Sequence, residues 1–391
     1  MLGLSQHAPD ARCGLILDIG SSSVGAAIVV SEVDEPQPTT VWTHIERCPI
    51  SDSFNITDLA KRITTAVTNV GLEIGGNGLK SLAEHDGRLR IHETMVSVAA
   101  PWSYTVPKRI TYAADDAFTV TETLLTELAR TAERQTTEEY GKIDLFNSLG
   151  LEVLSNDSAQ FLANGYAVQS PVGQTITDLV HIQNITIAQK QLLEAVREVH
   201  STVVPKSQLT IGSFIQQMRK KVLTHTIPDH TYGLVDVGGD ATEVGVVSND
   251  HLSTVINNQW GYNSLVRELA AITKQPTSAA LTMLQESADG AIAHLSDAQQ
   301  EAWQTVCTEF VATQADLIGR SAAMSELPEH YAIHTDTTMR PIVMALFKRA
   351  IANSTGNATV SLVSEKLTDV VSVAETRMAL SIAVFHTTSK A

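Results

Sequence analysis

The chain has 391 residues, enough for two or three domains or one large bilobal fold. Its 27 Lys and Arg stand against 43 Asp and Glu, a formal charge of −16, which excludes a general binder of nucleic-acid phosphates. With 43% hydrophobic and 18% charged residues it has material for a large core and is not globally disordered. Cys13, Cys48 and Cys307 lie far apart with no CxxC pair. That argues against a disulfide framework or a cysteine-rich zinc site, and for a reducing cytoplasm. Met1 to Gly14 lacks the apolar run of a signal peptide, and no window is apolar for long enough to span a membrane. Membrane contact is expected only at the inner face of the cell membrane, through partners.

The first element is Gly14-Leu15-Ile16-Leu17-Asp18, an apolar run ending in an acid. The turn Gly20-Ser21-Ser22-Ser23 and a second apolar run, Val24 to Val30, follow. Two apolar runs across a Gly/Ser turn predict a β-hairpin. Val41 to Ile45 is a third strand, and Ile56 to Val70 a helix capped by Asn55 or Thr57. Gly71 to His92 is polar and Gly-rich and reads as a loop. Thr94 to Ala100 and Thr105 to Tyr112 are strands; Thr119, with Glu122 three residues on, caps a helix to about Gln135. Ser148 to Ala167 and Thr175 to Ile187 supply further strands, then Gln189 to His200 a helix and Ser207 to Leu223 a strand and a helix.

The opening pattern then returns. Tyr232-Gly233-Leu234-Val235-Asp236 leads into Gly238-Gly239-Asp240 and on to Thr242-Glu243-Val244-Gly245-Val246-Val247. A duplication at this range predicts two related lobes, not a short-period solenoid. Helical sequence fills Ser264 to Met324, and strands alternate with helices from His330 to Lys390.

Such turns expose consecutive backbone N–H groups, which bind phosphate oxygens without lysine. Glycine permits the close approach. Asp18 and Asp236, at the strand ends, would stand beside the phosphates, binding Mg²⁺ mostly through water or orienting a nucleophile. Two facing hairpins can clamp one triphosphate between lobes.

Asp18-Ile19-Gly20-Ser21-Ser22-Ser23 resembles the phosphate-1 motif of the actin-like ATPase superfamily, and Asp236 to Glu243 its phosphate-2 motif. Within it the chain resembles the FtsA/PilM group. Thr94 to Thr111 with the following helix resembles the start of that group's small inserted domain, and Asn164-Gly165-Tyr166 with Ser170-Pro171-Val172-Gly173 a segment that FtsA carries there. The resemblance spans about residues 12 to 388. It implies an α/β actin-like (ribonuclease H-like) bilobal fold with an inserted α+β domain of SHS2 type. Lobe 1 would comprise 12–91, 189–228 and 371–391; the insertion 92–188; lobe 2 229–370, with a helical subdomain near 263–324. It also implies ATP and Mg²⁺ as cofactors. Asp18 and Asp236 would be the catalytic and metal-positioning residues, and Gly20, Ser21, Ser22, Ser23, Gly238, Gly239 and Thr242 the phosphate holders.

The function so implied is an ATP-binding scaffold, at most a slow ATPase, that ties a membrane machine to nucleotide state. The machine is the division ring (FtsA-like) or a type IV pilus platform (PilM-like). Partners would be the chain itself, as dimer or filament, and division or pilus proteins. Asp240 departs from the usual phosphate-2 turn, Glu243 replaces the usual Asp, and His334 to Thr338 lacks the usual Gly-Gly. These departures leave open a degenerate pseudo-ATPase interaction module; an exopolyphosphatase or kinase is the other alternative. His225/His230 and His330/His334 lack companions at ligand spacing. Trp102 is read as a packing residue, and the apolar, basic run Met339 to Ala350 as a buried helix.

Overall fold

The computed structural model describes residues 11–32, 34–143, 147, 150–223, 231–287, 291–325, 327–356, 358–363 and 376–388. The hairpin read first is β1 (Arg12–Ile19) with β2 (Ser23–Ser31), extended on one side by β3 (Thr39–Arg47). On the other side β4 (Glu93–Val98) runs parallel to β1, and β9 (Gln208–Ser213) parallel to β4. The order is β3-β2-β1-β4-β9. The second sheet repeats it: β12 (His251–Asn258), β11 (Thr242–Ser248), β10 (Thr231–Val237), β13 (His330–Thr335) and β14 (Thr359–Leu362). Again three strands are antiparallel and two parallel. β1 and β10 are apolar almost throughout because elements cover both their faces.

A third sheet, in the order β5-β8-β6-β7, contains β5 (Ser103–Thr119), β8 (Thr175–Gln189), β6 (Leu151–Ala163) and β7 (Tyr166–Val168). The helix α3 (Glu122–Tyr140) packs against it. This is the inserted domain, and its start needs correction from residue 92. Thr94 to Val98 lies within β4, bonded between β1 and β9, so it belongs to lobe 1. An apolar strand has the same local pattern whichever sheet receives it.

The helix α1 (Ile56–Glu73) is capped by Asn55, whose Oδ1 accepts from the Asp58 N–H at 3.0 Å. The chain does not then loop. One π-helical turn (Ile74–Gly78) carries it into α2 (Leu79–His85). Glycine here serves packing: a Cβ on Gly78 would come within 3.1 Å of Trp42, and one on Gly71 within 2.8 Å of Val199. The cap of α3 also shifts, from Thr119 to Thr121, whose Oγ1 accepts from the Leu124 N–H at 3.2 Å, and the helix reaches Tyr140 rather than Gln135. Thr121→Ala should therefore lower stability by about 1 kcal/mol in chemical denaturation, and Thr119→Ala by less than about 0.5. Equal costs would contradict this cap.

The remaining helices are α4 (Lys190–Val203), α5 (Phe214–Leu223), α6 (Tyr262–Thr273), α7 (Thr277–Gln285), α8 (Asp297–Ala323), α9 (Arg340–Thr355) and α10 (Thr376–Thr388). The run from Met339 to Ala350 lies mostly in α9, and buries Ile342, Val343, Leu346 and Phe347 in the lobe 2 core with Trp303 and Phe310 of α8. A separate core joins the lobes. Phe214, Ile215 and Met218 of α5 and Leu380, Ile382 and Phe385 of α10 pack with Ile16 of β1 and Leu234 of β10. Gly14 and Gly25 make room for α10, since a Cβ there would stand 2.4 Å from Phe385 and 2.5 Å from Met378. No described helix is long and apolar enough to cross a membrane.

Candidate functional site

The two Gly-rich turns face each other between the lobes. Each is closed by the same bond: Gly20 N–H to Ser23 O and Gly238 N–H to Ala241 O, both 2.9 Å. They touch, because a Cβ on Gly239 would lie 2.5 Å from the Ser22 Cβ. Ser21 Oγ accepts from the Asp240 N–H at 2.9 Å, and Ser22 Oγ meets the Tyr262 hydroxyl at 3.0 Å. Asp18, Gly20, Ser21, Ser22, Ser23, Gly238 and Gly239 thus line one cavity, with Tyr262, His334, Asp336 and Arg377 beside them. Its volume is about 30 Å³.

Asp18 and Asp236 hold equivalent places near the ends of β1 and β10. Between them lies a guanidinium. Arg377, in the first turn of α10, places Nη2 3.1 and 3.2 Å from the two Asp236 oxygens, and Nε 3.7 Å from Asp18 Oδ2. Its other flank is the Phe214 ring, 4.6 Å from the guanidinium carbon. His334 Nδ1 stands 2.7 Å from Asp236 Oδ1. Burial resists ionisation of Asp236, but Arg377 and the His334 bond outweigh it and hold its carboxyl below the ordinary range. Burial pushes the His334 pKa down despite Asp236, so at neutral pH a neutral imidazole donates Nδ1–H to the carboxylate.

Three phosphate-2 residues face elsewhere. Thr242 does not join the cavity lining: it is fully buried, and its hydroxyl donates to Trp260 O at 2.6 Å. Its place at the start of β11 turns it toward Trp260. Glu243 is buried opposite Asp236 in the ladder. Burial first, then the Asp236 charge, push its pKa well up. The Asp240 carboxylate accepts from Asn263 Nδ2 at 2.9 Å and Arg267 Nη1 at 2.8 Å. The N-terminus of α6 is also satisfied from within, by Tyr262 N–H to Gly238 O at 3.1 Å and Asn263 N–H to Gly239 O at 2.7 Å.

Sequence reasoning missed Arg377 and the His334–Asp236 bond. A lone arginine in a C-terminal helix carries no motif, and His334 was legible only as a departure from a glycine turn. The segment His334 to Thr338 ends β13, and Asp336 caps a short 3₁₀ turn through the Thr338 N–H at 3.1 Å. Asp336 also meets Arg47 of lobe 1 at 3.2 Å. Trp102 is fully buried, and its Nε1–H donates to Gly20 O at 2.9 Å, tying the inserted domain to the first turn. His330 bonds Thr359 and Ser361, each at 2.8 Å. His225 and His230 lie outside the described residues. Among the described residues no three His, Cys, Asp or Glu side chains cluster as metal ligands.

No protein-family model and no curated protein matches the chain. Solved structures do. The PilM–PilN type IV pilus biogenesis complex contains a chain 14% identical, with a TM-score of 0.57 over 95% of this chain and 98% of that one. Ethanolamine utilization protein EutJ from Carboxydothermus hydrogenoformans is 11% identical, with a TM-score of 0.47 over 98% of this chain and 92% of that one. MreB 5 of Spiroplasma citri, bound to AMPPNP, is 9% identical, with a TM-score of 0.45 over 96% of both.

The chain has the actin-like fold.

An actin-like fold implies ATP and Mg²⁺ between the lobes, and at the two aspartates the residues in this arrangement do not fit the metal. The cavity of about 30 Å³ beside the aspartates admits one or two waters. Arg377 already neutralises the two aspartates a cation would use. The Asp240 N–H and the α6 N-terminus already have protein acceptors. Two larger concavities are present. One of about 1020 Å³ separates the inserted sheet from lobe 1, and another of about 370 Å³ adjoins the turns, sharing Ser22, Tyr262 and Asp336 with the small cavity and reaching Arg47 to Ile50 and α7.

Proposed function

We propose that the chain is an actin-like interaction scaffold of a membrane-associated machine, of the pilus-platform type, acting by contact and not by nucleotide turnover. The observation that carries this is the buried Arg377 guanidinium between Asp18 and Asp236. It favours the degenerate-module alternative over an ATP-gated one. Likeness to the PilM–PilN complex over nearly both full chains supports the pilus side over the division ring. The phosphatase alternative loses its anchor, because Glu243 is buried and absent from the cavity lining. We place partner contact in the groove of about 1020 Å³, floored by Thr210 to Ser213 of β9. β9 ends its sheet, so its outer backbone can pair with an extended segment of a partner.

Calorimetry with ATP and Mg²⁺ tests the reading. The wild-type chain is expected to bind no tighter than about 1 mM, with no hydrolysis above blank. Micromolar binding that Asp18→Ala abolishes would overturn it and restore the ATP-gated scaffold.

A further inference from the structure

We infer that Arg377 is a built-in cation, standing where two facing aspartates would otherwise gather a divalent metal ion, and that it makes α10 the latch that holds the lobes together. The latch deepens the scaffold reading and rests on it.

The site is built from four elements. Asp18 comes from lobe 1 on β1, Asp236 from lobe 2 on β10, Phe214 from α5 and Arg377 from α10. The Arg377 side chain is 13% exposed, and Asp236 and Asp18 are 3% and 8% exposed. Two carboxylates this buried repel each other unless a cation lies between them. An actin-like relative with a free cleft meets that need from solution, with a hard cation that carboxylate oxygens bind well. Here the chain supplies the charge. The guanidinium also fills space a phosphate would need: a Cβ on Gly20 would lie 3.3 Å from Nη1 and one on Gly238 3.7 Å from Nη2.

The rest of α10 fixes the arginine in place. His386 Nδ1 bonds Ser31 Oγ of β2 at 2.7 Å, and Ser381 Oγ donates to Gln217 Oε1 of α5 at 3.1 Å. Phe385 and Met378 occupy the space left by Gly14 and Gly25. The helix is therefore seated on lobe 1 along its length and shares an apolar core with Leu234 of lobe 2, while its first turn carries the guanidinium to Asp236. Opening the cleft means drawing one buried charge off another, so closure is a property of the chain itself and not of a bound cofactor.

The test is whether removing the charge creates a metal site. Arg377→Met keeps the apolar stem, and Arg377→Gln keeps a neutral donor toward Asp236. Both are expected to gain several degrees of melting temperature in millimolar Mg²⁺, while the wild type is unmoved. Titrated with Mn²⁺ and read by electron paramagnetic resonance, each variant is expected to bind one ion at least about tenfold more tightly than the wild type. Adding Asp18→Asn should remove that ion. A wild-type chain stabilised by Mg²⁺ overturns the latch, as do two neutral variants both indifferent to Mg²⁺ and Mn²⁺. ATP binding by the wild type would instead sink the scaffold reading, so the two failures are distinct.

Discussion

Asp236→Ala is expected to lower the unfolding free energy by about 3–5 kcal/mol in chemical denaturation at neutral pH, the range for removing one partner of a buried ion pair. The carboxylate is the shared acceptor of Arg377 and His334, and both lie deep between the lobes. Without it the guanidinium keeps the 3.7 Å contact to Asp18 and the Phe214 ring, and His334 Nδ1–H loses this acceptor. Arg377→Met in the same chain should recover part of the loss, because it removes the stranded charge; the difference is the coupling energy of the pair. The pH dependence has a definite sign. Asp236 is held below its ordinary pKa of 3.8, so its contribution is whole above that value and fades as pH falls through it. The penalty of Asp236→Asn relative to wild type should therefore shrink in acid. A neutral-pH cost of Asp236→Ala below about 1 kcal/mol would mean that Arg377 is solvated in solution and the cleft is not shut.

Trp102→Ala should cost about 3–5 kcal/mol as well, for a different reason. The indole is fully buried at the root of the inserted domain, and its N–H holds the Gly20 carbonyl of the first turn. Truncation opens a large cavity and frees that carbonyl together. Trp102→Phe separates the two effects: it keeps most of the ring volume, loses the bond, and should cost about 1–3 kcal/mol. Equal losses in the two variants would show that the hydrogen bond, not packing, joins the inserted domain to the turn.

Both aspartates and both turns were legible because their pattern is local. An apolar run, an acid, a Gly/Ser turn and a second apolar run fit within fewer than twenty residues. The antiparallel hairpin follows directly: Asp18 opposite Gly25, Asp236 opposite Glu243. Recurrence of the pattern gave two lobes, and the sheets share one strand order. Where local signals had two meanings, the reading failed. Glycine in Gly71 to Gly78 suggested a loop, but the helix uses it to approach Trp42 and Val199. Thr119 and Thr121 can each cap a helix, and β5 runs on through Thr119 to leave the task to Thr121. Thr242 sat in a phosphate motif, but the direction of β11 points it at Trp260.

By itself the sequence determined most of the elements, the duplication and the two turns, since each depends on residues near one another in the chain. Tertiary structure alone decided what fills the space between them. Arg377 and Asp236 are 141 positions apart, and nothing local to either marks the other as its partner. The pairing exists because α10 is seated by glycines of β1 and β2, and because a charge buried between two carboxylates is stable only where the fold brings all three together.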